Sequence, residues 1–220
     1  VVAAPAEDGE HSLSAEDAAI LGWIITDGSL RRPHGENSDH WRAHIDQSKP
    51  QYVEELRELV GAYATESVTA AGVRTFPTGN TSPTLPSHRF ALRAGKTRDI
   101  LRAAGMESRA DLPSLVTRLS GAARSAMLDA MLKADGHQRW SATNDATWVF
   151  ANKDPHVFEA FQILAALEGR ALGRYKLEGP RQGRVNPLSL QAIRSGRHAQ
   201  LRALTIEEAG YADVWCPTTD

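Results

Sequence analysis

A single cysteine, Cys216, stands among 220 residues. It excludes an internal disulfide framework and a zinc site built on cysteines, and it points to an intracellular, cytoplasmic setting. Long apolar runs are missing as well. No window approaches the roughly 18 consecutive apolar residues of a membrane-spanning helix. The opening Val1–Asp8 has neither the basic stretch nor the apolar stretch of a secretory signal. It starts on Val rather than Met and reads as a piece excised from a longer chain. Lysine is scarce, with 5 against 20 arginines. Basic side chains are absent from residues 1–30, which hold six acids, and from 203–220, which hold only Glu207, Glu208, Asp213 and Asp220. Between them, 170–202 carries eight Lys or Arg against Glu178 alone. The net charge of −2 therefore hides a basic zone between acidic ends. The arginine excess has two readings, a GC-rich genome or a surface that meets phosphates and bases with planar guanidinium forks. The remaining balance, 41% apolar and 24% charged, is that of a globular chain long enough to bury a core.

What is present is a repeat. Ser14 caps a helix that carries Glu16 and Asp17 in its first turn and ends at Thr26-Asp27-Gly28. A strand is predicted over 36–48, a helix from Lys49-Pro50, strands over 66–76 and 87–95 around a Pro/Gly/Ser/Thr loop at 77–86, and a helix over 96–105. The order then recurs. Leu112-Pro113 leads into a helix that begins near Ser120 and ends at Ala134-Asp135-Gly136. A strand at 147–152, a helix from Asp154-Pro155 to Glu168, and strands at 170–177 and 188–195 follow. The two Asp-Gly helix ends lie 108 positions apart. Duplication on this scale implies one α+β unit made of two similar halves.

The helix ends carry the chemistry. Ile20-Leu21-Gly22-Trp23-Ile24-Ile25-Thr26-Asp27-Gly28 and Leu128-Asp129-Ala130-Met131-Leu132-Lys133-Ala134-Asp135-Gly136 both have a small residue at the same place and a carboxylate before the final Gly. Gly inside a helix costs about 1 kcal/mol relative to Ala. Close approach of two helices at Gly22 and Ala130 would offset that cost. Such packing brings Asp27 and Asp135 together, where they repel and raise one another's pKa. A hard divalent cation such as Mg2+ resolves the repulsion. Acids at the negative end of a helix are otherwise unfavourable. The eight histidines are scattered and do not read as a zinc cluster.

These two segments, with the order of strands and helices between them, resemble the LAGLIDADG (dodecapeptide) homing endonucleases over about residues 14–200. The resemblance implies a pseudo-two-fold fold of two αββαββα halves, with the motif helices at their interface and a β-saddle over the DNA major groove. It divides the chain into a lead-in at 1–13, halves at 14–110 and 111–202, and a remnant at 203–220. That remnant, Tyr211-Ala212-Asp213-Val214-Trp215-Cys216-Pro217-Thr218-Thr219, is similar to the late splicing-domain strand of inteins of phage type. The terminal splicing residues are missing, so the resemblance implies the endonuclease region of an intein, working as a monomer in the cytoplasm of a bacterial or phage-infected cell. It needs no protein partner and no membrane.

The implied activity is metal-dependent, double-strand cleavage of a long asymmetric DNA site. Mg2+ is the implied metal, with Mn2+ as a substitute and Ca2+ as an ion that binds without cleavage. Asp27 and Asp135 become the metal ligands, joined by the backbone carbonyls of Thr26 and Ala134. Gln47 and Asn152 take the place of the family's polar residue at the end of the second strand. The family Lys that precedes the second motif helix is replaced by Ala110, which leaves Arg109 beside it and Lys176 or Lys153 in the second half as candidate cations. The missing Lys keeps open a cleavage-deficient DNA-binding protein of the same fold. The DNA contacts implied are Arg31, Arg32, His40, Arg42, His44, Arg74, Arg89 and Arg93 in the first half. In the second they are Arg139, Lys153, Arg170, Arg174, Lys176, Arg181, Arg184, Arg194 and Arg197. Each is more readily a phosphate contact than a base reader.

Overall fold

The computed structural model describes residues 13–31, 41–140, 146–172, 176–178 and 188–194. Helix α1 (Ala15–Thr26) begins where the Ser14 hydroxyl accepts the Asp17 N–H at 3.1 Å. Ala18 and the whole run Ile20–Ile25 are buried. A helix apolar on every side belongs inside a core, and α1 packs along α5 (Gly121–Asp135), whose Ser120 cap accepts the Ala123 N–H at 3.3 Å. At their crossing, a Cβ on Gly22 would stand 2.9 Å from the Met127 carbonyl oxygen and 3.0 Å from the Ala130 Cβ. Gly22 and Ala130 therefore let two backbones meet, as expected from the sequence. The buried side chains of both halves form one continuous cluster around this pair.

In the first half, α1 is followed by β1 (Gly28–Arg31), β2 (Arg42–Gln47), α2 (Pro50–Val60), β3 (Ala64–Thr69), β4 (Gly72–Thr75), β5 (Thr81–Thr84), β6 (Ser87–Leu92) and α3 (Ala94–Ala104). The main sheet runs β1-β2-β6-β3, all antiparallel. Along β2, Ala43, Ile45 and Gln47 are buried while Arg42, His44 and Asp46 face outward, the period of a half-buried strand. Within the predicted loop at 77–86, Thr81–Thr84 form a strand. β4 and β5 pair as a ribbon, Thr75 opposite Thr81, around a turn with Gly79 at φ +81°. The ribbon is exposed almost throughout, so no alternation of apolar and polar residues announces it. The strand predicted over 66–76 accordingly breaks between Thr69 and Gly72.

In the second half, a 3-10 turn at Arg109–Asp111 and a short helix α4 (Leu112–Arg118) precede α5. The expected start of the long helix near Ser120 holds, but the sequence reading gave Leu112–Arg118 no helix of its own. The extended backbone at Leu119 separates the two, and α4 buries Leu112, Leu115 and Val116 on its own account. Then come β7 (Gly136–Trp140), β8 (Ala146–Asn152), α6 (Pro155–Leu167), β9 (Ala171–Leu172), β10 (Lys176–Glu178) and β11 (Leu188–Arg194). The sheet order is β10-β11-β8-β7, with β9 also on β11. Both halves thus place a hairpin after the motif helix and a Pro-initiated helix after the hairpin. Among the described residues no helix is long and apolar enough to cross a membrane.

Candidate active site

The site grows out of the ends of α1 and α5. Asp27 caps α1, and its backbone carbonyl accepts the Asp46 N–H at 2.9 Å, which ties the helix end to β2. At the end of β2, Gln47 is 2% exposed. Its Oε1 accepts the N–H groups of Ser48 (2.9 Å) and Lys49 (2.8 Å), and its Nε2 donates to Asp27 Oδ2 at 3.1 Å. The second half repeats the device. Asn152 Oδ1 accepts the Asp154 N–H at 2.8 Å, and Nδ2 donates to Asp135 Oδ2 at 2.5 Å. In each half the chain just beyond the strand fixes an amide, and the amide aims its N–H at a carboxylate. Gln47 and Asn152 are thus brought to the aspartates, 105 positions apart rather than 108, because the two hairpins differ in length.

Burial pushes both carboxyl groups up. Asp27 is raised by burial, against the pull of Lys49 and Gln47, with Asp46 adding to the rise. Asp135 is pushed up to about 6 by burial and by the charge of Asp27, against Asn152, Lys49 and Arg109. Two half-buried acids are therefore close enough for the charge of Asp27 to act on Asp135, and the cations nearby do not cancel the effect of burial.

Their surroundings differ. Asp135 faces a cavity of about 370 Å3 bordered by Thr26 at the end of α1 and by Arg109, Asn152, Lys153 and Asp154. Arg109 Nη1 donates to Asp154 Oδ2 at 2.9 Å; burial raises Asp154, but Arg109 and the N–H groups of His156 and Val157 together hold it below the usual carboxylate range. A second cation, Lys49, acts on both Asp27 and Asp135. Its Nζ donates to the carbonyl oxygens of Lys133 at 2.9 Å and Ala134 at 2.6 Å. The Ala134 carbonyl, expected as a metal ligand, therefore carries an ammonium. Sequence reasoning treated Lys49 only as the start of α2. Its position two residues after Gln47 was the available signal. Lys133 lies away from the carboxylates, paired with Asp129 at 2.6 Å and Glu55 at 2.7 Å. The Thr26 hydroxyl donates to the Gly22 carbonyl at 2.7 Å.

The expected DNA contacts divide. Arg31 and Arg42 are exposed and opposite each other on β1 and β2. His44 lies 3.2 Å from Asp46. Arg89, on β6 opposite Asp46, grips that carboxylate through Nε at 2.7 Å and Nη2 at 3.0 Å. Arg74 leans over the Phe76 ring at 5.3 Å on the ribbon. Two residues expected on strands are not. Arg93 is the cap of α3, since that helix begins at Ala94, and exposed Arg170 closes α6 by donating its N–H to the Ala165 carbonyl at 2.8 Å. Lys153 is exposed at the cavity rim. Arg139, Lys176 and Arg194 lie on β7, β10 and β11. Arg32, His40, Arg174, Arg181, Arg184 and Arg197 lie outside the described residues, as does the 203–220 segment.

No family model matches the chain, and no curated protein does. Among solved structures, the homing endonuclease I-WcaI bound to its DNA recognition sequence aligns at a TM-score of 0.50 and 15% identity, over 81% of this chain and 76% of that one. The fold is that of the LAGLIDADG homing endonucleases. Two further structures align less closely. I-DmoI in complex with DNA and Mn gives 0.47 at 15% identity over 83% of this chain and 91% of its own. The N-terminal LAGLIDADG domain of DUF199/WhiA gives 0.45 at 10% over 80% and 75%. In this LAGLIDADG fold the donor set offered to a cation is two raised carboxylates and helix-end carbonyls. These hard oxygen donors fit Mg2+ or Mn2+. Among the described residues no group of three or more His, Cys, Asp or Glu gathers to hold a metal. An ion here would draw its remaining ligands from carbonyls, water and phosphate, as Mg2+ commonly does.

Proposed function

We propose that the chain is a site-specific double-strand DNA endonuclease that hydrolyses phosphodiester bonds with divalent metal. The observation that carries the reading is the paired Asp27 and Asp135 at the ends of two packed helices, each carboxylate held by a fixed amide. Asp27, Asp135 and the Thr26 and Ala134 carbonyls would hold the metal. When bound, the metal supplies a more acidic water and charge stabilisation at the scissile phosphate. The chain supplies the rest. Gln47 and Asn152 keep one oxygen of each carboxylate occupied and fix its direction. Arg109 and Lys153, at the Asp135 cavity, offset charge as it builds on phosphate oxygens; Lys176 stays a candidate for the same role. The outward faces of β1, β2 and β6, with Arg31, Arg42, His44 and Arg89, suit a major groove that admits a β-ribbon.

Both motif helices lie in one chain, so a monomer suffices, and unequal halves imply an asymmetric target. The segment at 203–220 supports an intein setting, in the cytoplasm of a bacterium or infected host. A second reading, binding without cleavage, is favoured by Ala110 in place of the family Lys. The test is to select bound duplexes from a random library with the full chain, then add Mg2+ or Ca2+. Mg2+-dependent double-strand cutting, lost in Asp27→Asn and Asp135→Asn, is expected. Specific binding with no cutting in Mg2+ or Mn2+ would select the second reading, and no specific binding would overturn both.

A further inference from the structure

The two halves place opposite charges at one equivalent position. Lys49 and Asp154 each lie two residues beyond the amide that holds the aspartate, and each precedes the proline that opens a helix, Pro50 or Pro155. Asp154 is spent locally. Oδ1 accepts the N–H groups of His156 and Val157 at 3.0 and 3.4 Å, and Oδ2 takes Arg109. Lys49 instead reaches across to the other half. Its ammonium, with three donors and no acceptor, places two of them on the last carbonyls of α5. Those carbonyls form the negative end of a helix and have no partner within it. The stem of Lys49 passes beside Tyr52, Nζ 5.7 Å from the ring centroid.

We propose that Lys49 is a resident cation at the Asp27 end of the site, so that a divalent ion enters the Asp135 cavity first and reaches the Asp27 end only by displacing the ammonium. This inference rests on the endonuclease reading above. The Ala134 carbonyl already accepts the ammonium at 2.6 Å, and a divalent ion drawn to the same oxygen would stand against that positive charge. At the Asp135 end the corresponding side chain is an acid, and the arginine beside the cavity is bound to that acid. Lys49 thus acts as a positioning residue that breaks the symmetry of the pair and makes the two metal sites fill in order.

The test is Mn2+ binding to the full chain, read as free Mn2+ by electron paramagnetic resonance, with a melting curve for each variant. The wild type should bind one ion tightly and a second at least about tenfold more weakly, tenfold being ~1.4 kcal/mol. Lys49→Met should bring the second ion to within about threefold of the first, ~0.65 kcal/mol. Lys49→Gln, which keeps a donor for one carbonyl but no charge, should do the same and serves if the Met variant fails to fold. Asp135→Asn should abolish the tight class. Two equal classes in the wild type, or a second class unmoved in both Lys49 variants, would overturn the Lys49 proposal while leaving the endonuclease reading intact. No Mn2+ bound by the wild type or any variant would overturn both.

Discussion

The Asn152 amide donates to the Asp135 carboxylate at 2.5 Å, yet burial and the neighbouring Asp27 charge still push Asp135 up to about 6. One hydrogen bond does not compensate for a second acid in a partly buried site. The unfolded chain titrates this group near 3.9, so between about pH 4 and 6 the folded protein binds more protons than the unfolded. Stability from this residue is therefore highest at low pH and is lost as pH rises through the window. In chelator, Asp135→Asn should be more stable than wild type by about 1–2 kcal/mol at pH 7.5, and the difference should vanish near pH 4. Urea unfolding of both proteins across that range measures it. A difference that does not change with pH would mean Asp135 is not strained in this way.

On the outer face of β2, Asp46 occupies Arg89 through two hydrogen bonds and also contacts His44. Removing this carboxylate frees a guanidinium and deletes a negative charge from the proposed DNA face. Asp46→Ser should therefore strengthen binding to duplexes of unrelated sequence. The dependence of log K on log salt should steepen by about one unit, the value for one added phosphate contact. Arg89→Ser should change that slope little, because the wild-type arginine is already held. A slope unchanged in Asp46→Ser would place this face away from the DNA.

How much of this was readable without coordinates depends on how far apart the partners lie in the chain. The ends at Asp27 and Asp135 were legible because capping, apolar periodicity and a terminal Gly are local signals, written within one helix each. Gln47 and Asn152 came from the family resemblance, which places a polar residue at the end of the second strand. The contact of Lys49 with Ala134 was not legible, since 85 positions separate them and nothing in either segment mentions the other. Strand β5 and its pairing with β4 were missed because neither face of the ribbon is buried. Helix α4 was missed because its seven residues are too few to show a helical repeat. Arg89 was readable as a strand arginine but not as one already paired, since register decides that.

Gly22 lets α1 approach α5 so closely that an added Cβ meets backbone, the Met127 carbonyl oxygen at 2.9 Å, as well as the Ala130 Cβ at 3.0 Å. Ala would gain about 1 kcal/mol of helix propensity, but the carbonyl cannot rotate away as a side chain could. Gly22→Ala should therefore be net destabilising by about 1–2 kcal/mol, and Gly22→Val by more. Ala130→Gly should restore part of the loss in the double variant, because it removes one of the two obstacles and leaves the other. Thermal unfolding of the four proteins decides the matter. Gly22→Ala at or above wild-type stability would mean that the helices can part at no cost.

The far end of α5 is held by a different kind of contact. Arg124 is almost wholly buried; its Nε donates to Glu168 Oε1 at 3.2 Å and its Nη1 to the Leu119 carbonyl at 2.9 Å. The guanidinium thus joins the start of α5, the break after α4 and the end of α6. Breaking a buried pair from one side costs about 3–5 kcal/mol because the remaining charge is stranded. Glu168 keeps some access to water, so Arg124→Met should cost about 2–3 kcal/mol, below that range. Arg124→Met with Glu168→Leu should recover part of this, since no charge is then left alone. The aspartates sit at the opposite end of α5, so Mn2+ affinity of the folded double variant should match the wild type within about twofold, or ~0.4 kcal/mol. A large loss of Mn2+ affinity there would show that the Arg124 contact sets the position of the helix end and not only its stability.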